Sequence, residues 1–172
     1  VAEGVSAVDL FLDYLVKNTD HAIVGTDLTF TPAQVELMAK ALSRPGMLDH
    51  IDTVDFRGSA LGAESIVRFM KVLVARCDEE RQEGVGRNQI KHLLLRETNA
   101  QPEGCLPLAS YLQHSHCQLV ELNLSKNGLG DRGMEAIAGA LAVNKTVRHL
   151  YLGNNGIDKS GCVAVSAALM TN

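Results

Sequence analysis

The chain resembles itself. Leu119, Leu122, Leu124, Asn127, Leu129, Gly133, Ile137 and Leu141 are followed, 28 positions later, by Val147, Leu150, Leu152, Asn155, Ile157, Gly161, Val165 and Leu169. All eight positions keep their chemical character, which chance explains poorly. Stepping 29 residues the other way gives Ile90, Leu93, Leu95, Thr98, Ala100, Gly104, Leu108 and Leu112. A further 39 residues back lie Ile51, Val54, Phe56, Ser59, Leu61, Ser65, Phe69 and Leu73. There the apolar skeleton survives without its Asn and Gly. The longer step marks an insertion of about ten residues, expected within 77–88 as a charged, solvated loop.

Each unit carries two periodicities. Leu119-x-x-Leu122-x-Leu124 contains an alternation of two, the pattern of a short strand with one face buried. Asn127, Gly128, Gly130 and Asp131 then form a turn, and Met134, Ile137, Ala138 and Leu141 return at helical spacing. Gly133 is expected to let that helix approach the sheet closely. One unit cannot bury its own apolar face, so units must stack on a shared core. Parallel strands lie ~4.8 Å apart and helix axes ~8–10 Å apart, so the stack must curve with its sheet on the inside. The predicted fold is therefore an α/β solenoid, with a parallel concave sheet and helices on the convex side.

Upstream the pattern decays. Residues 23–30 read as a degenerate strand, and Thr31-Pro32 as a helix start leading to Val35, Met38, Ala39 and Leu42. Val8, Leu12 and Leu15 predict a helical cap at the N-terminal end. The expected organisation is one domain over 1–172: a capping helix (1–20), a degenerate repeat (21–46), a repeat with an inserted loop (47–89), and repeats over 90–118, 119–146 and 147–172. The last repeat is expected to expose an apolar edge, which suits a chain that is part of a longer one.

Composition narrows the function. Net charge is −4, so the broad basic footprint of a nucleic-acid binder is absent, and no apolar run reaches membrane-spanning length. Aromatic residues make up 4%, which predicts a core of aliphatic side chains. Cys77, Cys105, Cys117 and Cys162 form no close pair and read as reduced thiols of a cytoplasmic protein, with Cys105 and Cys162 filling the helix slot of Met134. His114, His116 and Cys117 lie together, but no second ligand pair accompanies them, so no metal is expected. No catalytic set and no cofactor motif can be assembled.

Residues between the leucines of each strand point into the concavity. Before the middle leucine stand Thr53, His92, Glu121 and His149; after it stand Asp55, Leu94, Asn123 and Tyr151; the next outward column is Arg57, Arg96, Ser125 and Gly153. This mixture of charge, imidazole and one Tyr suits a protein partner. Asp55, Arg57, His92, Leu94, Arg96, Glu121, Asn123, His149 and Tyr151 are the candidate contact residues. Substituting Asp55 or Tyr151 is expected to weaken binding without unfolding the domain.

LxxLxLxxNxL followed by a glycine-led helix ending in Ala-Leu resembles the ribonuclease-inhibitor class of leucine-rich repeats. The match is close over 119–141 and 147–169, good over 90–112 and loose over 51–73. The resemblance implies right-handed βα units and a ladder in which Asn127 and Asn155 bond to backbone in the turns. Thr98 and Ser59 depart from that ladder, which should be weaker there. It also implies a non-enzymatic protein-interaction module or scaffold. Cytoskeletal members such as the tropomodulins are similar in repeat class and size. The sensor-type repeats of a NOD-like receptor are one alternative. A Ran-type GTPase-activating protein is another, with Arg132 as its nominal rim residue.

Overall fold

A computed structural model describes residues 6–17, 20–83 and 89–172. A first helix, α1 (Ala7–Lys17), precedes five strand–helix units. These are β1 (Ala22–Val24) with α2 (Pro32–Leu42), β2 (Thr53–Asp55) with α3 (Gly62–Glu83), and β3 (His92–Leu94) with α4 (Gln101–Gln113). β4 (Glu121–Asn123) with α5 (Gly130–Leu141) and β5 (His149–Tyr151) with α6 (Lys159–Thr171) complete the series. The five strands form one parallel sheet in chain order. Each strand rises through only three residues, and each helix packs on the helix of the next unit.

Local chemistry sets the helix starts. Ser6 Oγ accepts from the Asp9 N–H at 3.1 Å, and the Asp9 carboxylate returns to the Ser6 N–H at 3.2 Å, closing the first turn of α1. Thr31 and Gln34 form the same reciprocal box before α2, with Pro32 preset for its first turn. After each strand the chain passes through the left-handed region at one fixed slot: Asp27, Gly58, Glu97, Lys126 and Asn154, with φ between 57° and 74°. Four of these five carry side chains, so the strain is held by the repeat rather than relieved by glycine.

One apolar core runs from Val8 to Ala168. Ile23, Val54, Leu93 and Leu122, the centres of the first four strands, are fully buried; Leu150, the centre of the fifth, is half-buried. Three expectations need correction. The core is not uniformly aliphatic: all four Phe converge, with Phe11, Phe30, Phe56 and Phe69 meeting edge to face at centroid distances of 5.7–6.2 Å. The inserted stretch does not begin as a loop. α3 continues through residue 83 because Cys77 and Glu80, three apart, both face inward; 84–88 lie outside the described residues. Finally, Gly133 meets the neighbouring helix rather than the sheet. A Cβ there would come 3.0 Å from Cys105 Sγ and 3.4 Å from Pro102 Cα.

Candidate functional site

The strands bring the predicted columns into register. Thr53, His92, Glu121 and His149 are successive partners, as are Asp55, Leu94, Asn123 and Tyr151. Because the central residue of each strand points into the core, its two neighbours point into the concavity. His92, Leu94, Glu121 and Asn123 are half-buried there; His149, Tyr151, Arg57 and Arg96 are exposed. His92 Nδ1 lies 2.9 Å from Glu121 Oε2 across the two strands.

Asp55 departs from expectation. It is only 6% exposed, because Arg57 closes over it. The guanidinium donates to Asp55 from Nε at 2.9 Å and Nη2 at 2.6 Å, while the Arg57 backbone N–H donates to Oδ1 at 3.1 Å. Those hydrogen bonds, then the carboxylate charge, raise the Arg57 pKa further. Asp55 is thus the seat of Arg57, whose exposed guanidinium covers it. Asn123 repeats the local turn, its Oδ1 accepting from the Ser125 N–H at 3.1 Å.

One charged column escaped the sequence reading. Glu97 and Lys126, at the left-handed turn slot, lie beside Arg96: Lys126 Nζ is 3.2 Å and Arg96 Nη2 3.7 Å from Glu97 Oε2. They had the look of plain turn residues, and their shared phase, 29 apart, was the available signal.

The ladder under this surface is built from side-chain amides that reach back one unit. Asn127 Nδ2 donates to the Leu95 and Leu124 carbonyls at 2.6 and 3.0 Å, and its Oδ1 accepts from the Thr98 and Ala100 N–H groups at 3.0 Å. Asn155 Oδ1 accepts from the Asn127 N–H at 2.8 Å, and its Nδ2 donates to the Leu124 and Leu152 carbonyls. Ser59 and Thr98 are both fully buried but behave differently. The Ser59 hydroxyl bridges to the Gly25 carbonyl and the Leu28 N–H of the preceding unit. The Thr98 hydroxyl turns to Leu95 of its own unit at 2.9 Å. A second ladder joins the helix ends. Asn144 Nδ2 donates to Leu112 O at 2.7 Å, and Asn172 Nδ2 to Leu141 O at 2.5 Å. Only the shared phase of Asn144 and Asn172 announced it.

The remaining candidates have structural roles. His114 lies 3.2 Å from Asp78, and His116 3.4 Å from the buried Glu80, so this histidine pair anchors the extended end of α3. Among the described residues, no group of three or more His, Cys, Asp or Glu could hold a metal ion. Burial pushes the Cys105 thiol up to about 12 and raises Cys117 as well, so neither is a nucleophile at neutral pH. Cys105 fills the Met134 slot as expected, whereas Cys162, in the same slot of the last unit, is exposed. Arg132 is exposed in the first turn of α5, in the helical layer.

Comparison with known proteins agrees with this geometry. Residues 115–138 and 143–166 match the Leucine Rich repeat family. Human NACHT, LRR and PYD domains-containing protein 5 is 33% identical over 72 residues, covering 42% of this chain and 6% of that protein. Mouse ribonuclease inhibitor is 33% identical over 85 residues, covering 49% of this chain and 18% of that protein. The chain thus spans less than a fifth of the length of these relatives. Two solved structures share the fold over nearly the whole chain. The leiomodin-1 actin-binding site 2 has a TM-score of 0.59 at 19% identity, covering 98% of this chain and 76% of that one. The Caenorhabditis elegans tropomodulin C-terminal domain has a TM-score of 0.64 at 15% identity, covering 96% and 93%. With its 28-residue period, its parallel sheet and its asparagine ladder, the chain is a leucine-rich repeat protein of the ribonuclease-inhibitor-like class.

Proposed function

We propose that the chain is a non-enzymatic interaction module that holds a protein partner on its concave face. The observation that carries this reading is the in-register surface itself, where Leu94 of β3 and Tyr151 of β5 share one column, Arg57 and Arg96 follow just past the ends of β2 and β3, and Tyr151 is 46% exposed. Arg and Tyr are the residue types that most often dominate protein interfaces. A sheet whose first four strand centres are buried and whose turns are bonded from unit to unit is preorganised, so little order is lost on binding. Reduced, buried thiols at Cys77, Cys105 and Cys117 suit a cytoplasmic setting.

Actin is the first partner to measure, because the leiomodin-1 relative by fold is named for an actin-binding site. Titration of monomeric actin is expected to give saturable binding that weakens ~10-fold or more with Tyr151→Ala or Arg96→Glu, as loss of a central interface anchor does. A convex-side Arg68→Glu control should bind as wild type does. Equal weakening by the convex control would overturn the concave assignment, and no binding would remove actin as the partner. A second reading, the sensor-type repeat region of a NOD-like receptor, draws support from the 33% identity with the human NACHT protein and 35% over 71 residues with rat NLR family member X1.

A further inference from the structure

The cap helix α1 buries one face and leaves a second apolar stripe in the open. Val8, Phe11 and Leu15 turn into the core and are at most 6% exposed. One step round the helix, Ala7, Leu10 and Tyr14 follow the spacing i, i+3, i+7, which again makes one face. Leu10 is 54% exposed, and Val24 of the neighbouring edge strand β1 is 49% exposed. Leu10, Tyr14, Val24 and Leu28 line a shared groove of about 360 Å³ with Phe11. Isolated apolar side chains on a surface are ordinary, but Leu10 and Val24 meet in one concavity that the seal leaves uncovered.

The rim of this groove is acidic. Asp13 precedes Tyr14 on α1, Asp20 Oδ2 lies 3.5 Å from the Tyr14 hydroxyl, and Asp27 stands between the lining residues Thr26 and Leu28. All three carboxylates are exposed. Lys17, 2.7 Å from Asp13, offsets one of them. Arg57, which feels the Asp27 charge, is already held by Asp55. A negative surplus thus surrounds apolar side chains that nothing in the chain covers among the described residues.

We propose that the groove receives a basic amphipathic helix of a partner protein, with its apolar stripe over Leu10 and Val24 and its Lys and Arg residues beside Asp20 and Asp27. A helix satisfies its own backbone, so it needs from the groove only an apolar track and flanking charge. Other occupants fit less well. A small molecule would be poorly enclosed, because Leu10 and Val24 leave half their surface open and such ligands bury most of theirs. An added strand would find the Ala22 carbonyl already taken by the Tyr14 hydroxyl at 3.0 Å. A second copy related by a two-fold axis would set the same carboxylates against each other. Residues 1–5 bring Glu3 and no base. The groove lies four strands, ~19 Å, from Tyr151, so the inference does not rest on the concave reading.

The test adds a Leu/Lys peptide of about 18 residues, ~27 Å long as a helix, with leucine on one stripe only. Amide shifts of the isotope-labelled chain are expected to move saturably at Leu10, Tyr14, Val24 and Leu28, with a gain of helical signal in the peptide. Leu10→Lys, which an exposed helical position tolerates, should weaken binding ~10-fold or more by removing an apolar wall and repelling the peptide. Asp27→Asn suits the left-handed backbone there (φ 57°) and should weaken binding ~3-fold and flatten its salt dependence. Tyr151→Ala should leave peptide binding unchanged while it weakens the concave partner. Wild-type affinity in both groove variants would overturn the proposal, as would equal binding of the same residues in scrambled order or shifts centred on β3–β5. Sedimentation of the chain alone is expected to show a monomer. A dimer that Leu10→Lys dissolves would make the occupant a second copy and the proposal wrong.

Discussion

The two ends of the solenoid solve the same problem with different chemistry. At the N-terminal end α1 lies across the first unit. Phe11 packs edge to face on Phe30 and Phe56, and the Tyr14 hydroxyl donates to the Ala22 carbonyl at 3.0 Å, satisfying a group of the edge strand. At the C-terminal end there are no aromatic rings in the core; Asn155 and Asn172 tie the last unit to the one before, and Leu169 and Met170 stand 59% and 88% exposed. One end is sealed by shape and the other is held by directional bonds. A seal tolerates an irregular repeat, whereas a ladder demands a strict one. The unit with Ser59 and Ser65 in the Asn and Gly slots lies toward the sealed end, and the units with both Asn and Gly lie toward the other.

The largest expected effect is at the seal. Phe11→Ala should cost ~3–5 kcal/mol in chemical denaturation, the usual range for a buried ring, while Leu169→Ala should stay within ~0.5 kcal/mol as an exposed position does. Similar losses at both ends would break the contrast. Next comes the ladder. Asn127→Ala strands the N–H groups of Thr98 and Ala100 and the Leu95 carbonyl, and is expected to cost ~3 kcal/mol. Asn155→Ala, whose oxygen serves one backbone donor, should cost about half as much. Equal values would mean the open end is as tightly held as the interior.

On the concave face, Asp55→Ala should lower stability by ~1 kcal/mol, a figure discounted for the exposure of Arg57. Tyr151→Ala should leave the denaturation midpoint unchanged and act only on partner binding. The smallest effect is acidic fraying. Bonds from Ser160 and the Asp158 and Gly161 N–H groups hold Asp131 below its ordinary 3.8. Its folded value is the lower one, so the stabilisation is complete above the ordinary, unfolded value and is lost as pH falls from there through the folded value. Asp9 is lowered in the same way by Ser6 and Gln34. NMR titration should show the start of α6 loosening with Asp131 and the start of α1 with Asp9.

Period and phase carry most of this fold, because a stacked repeat repeats its burial. The strand centres, the helix faces and both ladder asparagines follow from counting 28 or 29 residues. What counting misses is contact between unlike parts. The four Phe are dispersed in sequence and meet only when α1 and the first two units pack together. Glu80 reads as one acid in a charged run, and its burial depends on His116 and Arg76 arriving beside it. Asp55 looks exposed by alternation, since nothing in a two-residue period reveals that Arg57 folds back over it. Alternation places the candidate surface; the side chains that shield one another on it are set by local geometry.

The backward reach of the asparagine amides gives the molecule a polarity in time. Each Asn fastens the turn of the unit already made, so a unit is completed by its successor and not by itself. During synthesis from the N-terminus the sealed end can form first, and every later unit then acts as a pawl dropping onto the one behind it. Unfolding should run the wheel in reverse, beginning where no pawl has yet fallen, at Asn155 and α6.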